Sequence, residues 1–353
     1  MRTAESFPML DLRGTDHQMG VERGRRQRGE IRRSLAVRLG ALCQLLPLTP
    51  NHALALAERK AEACRAACPS AAEEVEGLAD GAGLSGREAW FLQAWETLAG
   101  IERYGTCCLA CGAEASRSGQ VLVGLNRDAA PWLVEPMAVV RRVPRHGPPS
   151  LQMLHHGEVA GCGLNAAGVL CFDLGGGGQA TGPALPAGWL CRAALDAESG
   201  EAAASRLAPL CADSGQSVLL GDANEGRLAC LAASKGRTRT AYSGAGLFAR
   251  ALTPRAGGVC SDDEGAEVEA ERSRMRERRM LLLADQHRGG MEAGTVAGIL
   301  SDHQNYPAHS VCRHNAGPNR LSTLASVVAE PGEGFLSVCL GPPCSGDYQT
   351  VDL

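Results

Sequence analysis

The chain changes character once, near residue 105, and that change restricts its fold more than any other feature. Before it, apolar residues recur at helical spacing. An Arg-rich run covers 17–47, a second helical run covers 50–83 with Pro69 inside it, and AWFLQAWETLAG closes the segment. After it, short β-like runs alternate with turns: QVLVGLN, PMAVVRRV, SLQMLHH, GVLCFDL, QSVLLGD and GRLACLAA. Helical spacing returns over 186–210 and 267–300, and SVVAEPGEGFLSVCLG reads as a hairpin turning at Pro331-Gly332. A helical preface followed by a mixed body predicts the α+β class. Ser70 with Glu73 predicts a capping box. The GGGG at 175–178 predicts a flexible turn, and Glu269/Arg272 and Glu271/Arg274 are spaced to pair on one helix.

Composition narrows the function classes. Lys and Arg number 35 against 39 Asp and Glu, so a dedicated nucleic-acid-binding face is not expected. No apolar run approaches the length of a membrane span. The opening MRTAESFPMLDLRG lacks the apolar core of a secretory signal, which predicts a cytoplasmic protein. Fifteen cysteines are many for such a chain, odd in number and scattered. In a long chain without a signal they are expected to be reduced and buried, acting as small hydrophobes.

Most familiar motifs fail on context. Gly81-Ala-Gly-Leu-Ser-Gly86 matches GxGxxG but follows a helix, not a strand, so it is no dinucleotide fingerprint. No P-loop, GxSxG or HExxH occurs. Cys108-Leu-Ala-Cys111 is a CxxC without a second one at zinc spacing. Cys64 and Cys68 are four apart, and His309, Cys312 and His314 would join a site only by tertiary accident. His155-His156 reads as packing or surface.

The segment Gly105-Thr-Cys-Cys-Leu-Ala-Cys111 sits where the preface ends and the β body begins. A cysteine freed there by chain cleavage would carry its own base, the new α-amine. Cys107 with its downstream run Ser118-Gly-Gln-Val-Leu-Val-Gly-Leu-Asn126-Arg-Asp128 resembles the nucleophile strand and Asn-x-Asp strand of the acyl-coenzyme A:6-aminopenicillanic-acid acyltransferase family, the C45 peptidases of the Ntn-hydrolase superfamily. Further segments resemble it in order: Leu10-Asp-Leu-Arg-Gly with Gly20 and Gly24; Val75 to Ser85, which also accounts for the false GxGxxG; Gly157 to Gly168; Asp302-His-Gln-Asn-Tyr-Pro307 with Ser310 to His314; and Ser322-Thr-Leu.

The resemblance implies a four-layer αββα sandwich with a helical N-terminal segment, as a single domain over 1–353. It implies a precursor cut before Cys107 into fragments 1–106 and 107–353. It further implies acyl transfer through a cysteine acyl-enzyme on a small amide or acyl-CoA-like substrate, with no cofactor, metal, nucleic acid or membrane. Self-association into a homo-oligomer is left open. Cys107 is the implied nucleophile, with Cys108 the alternative. Asp128 would orient the nucleophile and its amine, and Asn126 would support the same turn. Arg276, spaced as Ser273-x-x-Arg276, matches the family's late arginine, with Arg274 and Arg279 as competitors. The sequence departs from the family at the oxyanion donor. Tyr242-Ser-Gly-Ala-Gly-Leu-Phe248 has neither the expected Asn nor His, leaving backbone N–H groups at Gly244 or Gly246 as substitutes. The alternatives are therefore a catalytically impaired member of the fold, or a zinc-stabilised binding protein using the 107–111 cysteines.

Overall fold

The structure, a computed structural model, describes residues 8–99, 105–129, 137–176, 185–234, 237–242, 246–252, 263–306, 309–314 and 321–353. The preface is helical as its spacing predicts: α1 (Asp16–Arg26), α2 (Arg28–Leu45), α3 (Pro50–Ala67), α4 (Pro69–Ala82) and α5 (Gly86–Ala99). A strand that the spacing does not announce, β1 (Met9–Gly14), precedes them. Capping boxes form at Thr15 and Gln18 ahead of α1 and at Ser85 and Glu88 ahead of α5, not at Ser70. Ser70 instead donates its hydroxyl to Asp196, far away in sequence.

From residue 105 the chain builds two sheets. The larger has the order β1–β4–β5–β6–β7–β8–β9–β10, with β4 (Met137–Pro144), β5 (Ser150–His155), β6 (Cys162–Asn165), β7 (Val169–Gly176), β8 (Gln216–Asp222), β9 (Arg227–Ser234) and β10 (Arg237–Tyr242). Only β1 runs parallel to its neighbour, β4. The smaller, wholly antiparallel sheet has the order β11–β2–β3–β12–β13–β14, with β2 (Gly105–Cys111), β3 (Leu122–Ala129), β11 (Leu247–Leu252), β12 (Ser322–Glu330), β13 (Phe335–Leu340) and β14 (Gln349–Asp352). The hairpin at Pro331-Gly332 joins β12 to β13 with Glu330 opposite Phe335.

Helices close both outer faces. α6 (Ala187–Leu195) and α7 (Gly200–Ser214) lie on the larger sheet, and α8 (Asp263–Gln286) and α9 (Ala293–Leu300) on the smaller. The layer order is helix, sheet, sheet, helix, with the preface extending the helical layer on the larger sheet. The main core fills the space between sheets and under the preface, and a second cluster fills the space between the smaller sheet and α8–α9. Among the described residues no helix is long and apolar enough to cross a membrane.

The glycine spacing at the N-terminus is a packing device. A Cβ on Gly20 would run into the Glu74 carbonyl, one on Gly77 into the His17 carbonyl, and one on Gly81 into the Val21 carbonyl. α1 and α4 therefore meet backbone to backbone. Gly83, φ 64°, is the left-handed residue that ends α4. Packing and capping thus explain the GxGxxG match.

The Arg-rich preface also inserts charge into the body. Glu74 on α4 is wholly buried between Arg142 of β4 (2.9 Å) and Arg192 of α6 (2.8 Å). Asp16 and Asp196 complete the cluster. Arg23 reaches the carbonyls of His155 and Glu158, and Arg38 reaches the Leu92 carbonyl and the Glu158 carboxylate.

Candidate active site

β2 and β3 pair with Cys107 opposite Asn126 and Gly105 opposite Asp128. Side chains alternate along a strand. Cys107, Leu109 and Cys111 therefore face the α8–α9 layer, while Cys108 and Ala110 face the larger sheet. Asn126 and Asp128 share the Cys107 side. Arg127 points the other way and clasps Asp173 of β7 with both of its terminal nitrogens, tying one sheet to the other.

On the Cys107 side the polar groups converge. α8 buries a stripe at Ser273, Arg276, Met280 and Ala284, the three- and four-residue spacing of one helix face. That stripe carries Arg276 to Asp128, with Nη1 3.0 Å from Oδ2 and both side chains wholly buried. The hydroxyl of Thr323 on β12 donates to the other Asp128 oxygen at 2.7 Å and accepts from the Arg313 backbone N–H at 2.9 Å. The Arg313 guanidinium stands 3.8 Å from Asp128. One step along β3, the Asn126 amide donates to the carbonyls of Leu300 and Val311, fixing the chain after α9 against the sheet.

Burial pushes the Cys107 thiol up to about 11. Arg276 is the strongest opposing influence, and Arg313 also acts downward, while Asp128 acts upward. Cys108 is driven higher still, by burial first and then by neighbouring cysteines. The two adjacent cysteines thus differ in kind. One shares a face with an ion pair, and the other is packed among apolar side chains and thiols.

Several expectations change. Cys108 and Cys111 are three apart on a strand and point to opposite faces, so the CxxC chelates no metal and forms no redox pair. The zinc-stabilised reading based on the 107–111 cysteines is therefore dropped. Gly246 is next to Leu247, which pairs with Cys111, so it stands at the far end of β2 from Cys107 and is no substitute oxyanion donor there. Gly244 lies outside the described residues, as do Glu269's side chain and all of 253–262, Cys260 included. Of the competing arginines, Arg274 pairs with Glu271 at the surface and Arg279 holds Asp302 in a two-point bond. His155 and His156 are buried. Thr323 and Arg313 carry no sequence signal beyond their place in the late segments that resemble the family.

The strand ends Gly105, Ala129, Leu252 and Ser322 gather at one edge of the smaller sheet, around Asp128, with Gly175 of β7 against the Leu252 side chain. Residues 115–344 match the family described as acyl-coenzyme A:6-aminopenicillanic acid acyl-transferase. The chain belongs to this family. The matched region runs from the turn after β2 to the turn after β13; the helical preface and β2, with Cys107 and Cys108, lie ahead of it. Among solved structures the chain is similar to a mutant of conjugated bile acid hydrolase from Clostridium perfringens, with TM-score 0.45 and 10% identity over 70% of this chain and 97% of that one. It is also similar to Penicillin V acylase from Agrobacterium tumefaciens, with TM-score 0.43 and 13% identity over 70% of this chain and 86% of that one. No curated protein sequence matches it.

Proposed function

We propose that this member of the family is a cysteine-nucleophile amidohydrolase or acyltransferase that matures by cutting itself before Cys107 and acts on a small amide or acyl thioester. The observation that supports this reading is the shared face: Cys107 lies on the same side of the sheet as the solvent-excluded Asp128–Arg276 pair, and Arg276 acts on its thiol. A cation beside a thiol favours the thiolate.

In the precursor, the Cys107 thiolate attacks the Thr106 carbonyl carbon. The Thr106–Cys107 C–N bond breaks as the nitrogen takes a proton, and water hydrolyses the resulting thioester. The products are a Thr106 carboxylate, a free thiol and a free α-amine. That amine has an ordinary pKa of about 8, so it takes the thiol proton near neutral pH. The thiolate then attacks the substrate carbonyl, the leaving group departs with the proton, and the acyl group moves from sulfur to water or to an acceptor amine. Asp128 holds Arg276 and supplies a carboxylate for the ammonium.

A second reading, a catalytically impaired member, is favoured by one observation. The 242–248 segment offers no Asn or His, and loss of one oxyanion donor costs about 3–4 kcal/mol of transition-state stabilisation.

Intact-mass measurement of purified protein tests the proposal. Two fragments meeting at Thr106/Cys107, absent in Cys107→Ala and present in Cys108→Ala, support it. An uncut chain that forms no thioester with small acyl donors sinks it and leaves the second reading.

A further inference from the structure

Four side chains from three segments converge: His303 just after α9, Cys312 and His314 on the segment leading toward β12, and Cys344 in the turn after β13. Their ligand atoms all lie within 4.8 Å of one another. The His303 and His314 Nε2 atoms are 2.9 Å apart, and His314 Nε2 is 3.3 Å from the Cys344 sulfur and 3.8 Å from the Cys312 sulfur. A tetrahedral zinc ion, holding imidazole nitrogens at about 2.0 Å and thiolates at about 2.3 Å, sets its ligand atoms about 3.3–3.8 Å apart. The two His314–sulfur separations fall in that range, the 2.9 Å imidazole pair is slightly inside it, and the whole set spans no more than 4.8 Å, so small side-chain shifts would bring the four atoms to tetrahedral spacing. Two sulfurs and two imidazoles are also the donor set that selects zinc over harder cations.

We propose that His303, Cys312, His314 and Cys344 form a Cys2His2 zinc site. With four protein ligands the site is closed, which makes the ion structural rather than catalytic. Binding releases the two thiol protons, leaving the sulfurs as thiolate ligands. The surroundings hold the ligands in place. The Cys312 N–H donates to the Asp302 carbonyl at 3.0 Å, and the Ser310 hydroxyl donates to the Cys312 carbonyl at 2.7 Å. The Tyr306 ring meets both imidazoles edge-on. Asp302 is itself fixed by Arg279.

The site has a consequence for Asp128. Arg313 lies between two ligands, and its backbone N–H and carbonyl both bond Thr323, the residue that donates to Asp128. An ion at 312 and 314 fixes Arg313 from both sides. The candidate ligands are not the 107–111 cysteines: Cys312 and His314 take part, and His309 does not.

The test uses untagged full-length protein, reduced and freed of metal, then exposed to Zn2+ alone and dialysed. The expected result is one zinc per chain, raised thermal stability, and, on substitution by Co2+, the visible spectrum of a tetrahedral thiolate complex. Cys344→Ser removes an exposed ligand and is expected to lose the zinc and the cobalt spectrum, and His314→Ala the same. Cys111→Ser keeps both. Zinc retained in both ligand variants overturns the proposal, as does no retained zinc in the wild-type protein. A Cys312–Cys344 disulfide, seen as the loss of two hydrogens in intact mass from protein purified without reductant and persisting with excess Zn2+, also overturns it.

Discussion

Arg276 and Asp128 form an ion pair at 3.0 Å with no solvent on either side chain. A pair so placed is far more costly to break than to replace, because removing one partner strands the other charge in a dry site. Asp128→Asn and Arg276→Met are each expected to destabilise the protein by about 3–5 kcal/mol, with the double variant losing less than the sum. Urea unfolding of the three proteins checks this. Equal and additive losses would show that the two side chains do not act as a unit.

Glu74 supplies an acid-sensitive joint. Burial pushes its carboxyl up, but Arg142, Arg192 and Arg23 together outweigh burial and hold it below the ordinary carboxylate range. Asp196 is lowered by the same balance, while burial raises the half-buried Asp16. A lowered folded pKa gives stability that is fully present above about pH 4.3 and is lost as pH falls through the folded value. Glu74→Gln should cost about 3–5 kcal/mol at pH 7. Its stability gap from the wild type should narrow in unfolding curves taken progressively below pH 4.

The buried thiols act at the other end of the scale. Burial raises Cys107 to about 11, and Cys64, Cys111, Cys162 and Cys211 to about 12. Above about pH 9 the unfolded chain releases these protons while the folded chain keeps them, so stability falls as pH rises. Each such thiol contributes a slope of up to about 1.4 kcal/mol per pH unit. Unfolding curves in reductant at pH 7.5, 9.5 and 10.5 should show a steep decline, shallower in Cys162→Ala. A flat profile would refute a dry, thiol-rich core.

Two glycines in helices should answer oppositely to alanine. At Gly20 a Cβ meets the Glu74 carbonyl, so Gly20→Ala must part α1 from α4 and cost about 1–3 kcal/mol or more. At Gly40, within α2, nothing stands within 4 Å, so Gly40→Ala should stabilise by about 0.5–1 kcal/mol. Thermal melts of both variants read the difference.

Local patterns made much of the fold legible. The helices of the preface, the alternating runs of β3–β5 and β7–β9, and the hairpin at Pro331 follow from spacing that depends only on near neighbours. β11 was not legible, because what makes it a strand is its place beside β2, more than 130 residues earlier in the chain. Ser70 failed as a cap for the same reason: a partner brought in by the fold, Asp196, took its hydroxyl. At the site, Arg276 was legible through the Ser273-x-x-Arg276 spacing that resembles the family's late arginine. Thr323 and Arg313 could not, since their meaning comes from Asp128 on another strand. The cluster at His303 and Cys344 spans three short stretches at no standard ligand spacing, so only the tertiary structure assembles it.

The buried charge under the preface bears on what a cut before Cys107 would produce. Glu74 and Asp16 belong to the first fragment, while Arg142, Arg192 and Asp196 belong to the second. β1 of the first fragment is a strand of the second fragment's sheet. Separating the pieces would expose a sheet edge and leave two dry guanidinium groups with Asp196 alone, stripped of Glu74 and Asp16. The peptide bond at 106–107 is therefore redundant as a tether once the body has formed. Its loss would yield an obligate two-chain particle whose parts neither exchange with free copies nor persist alone.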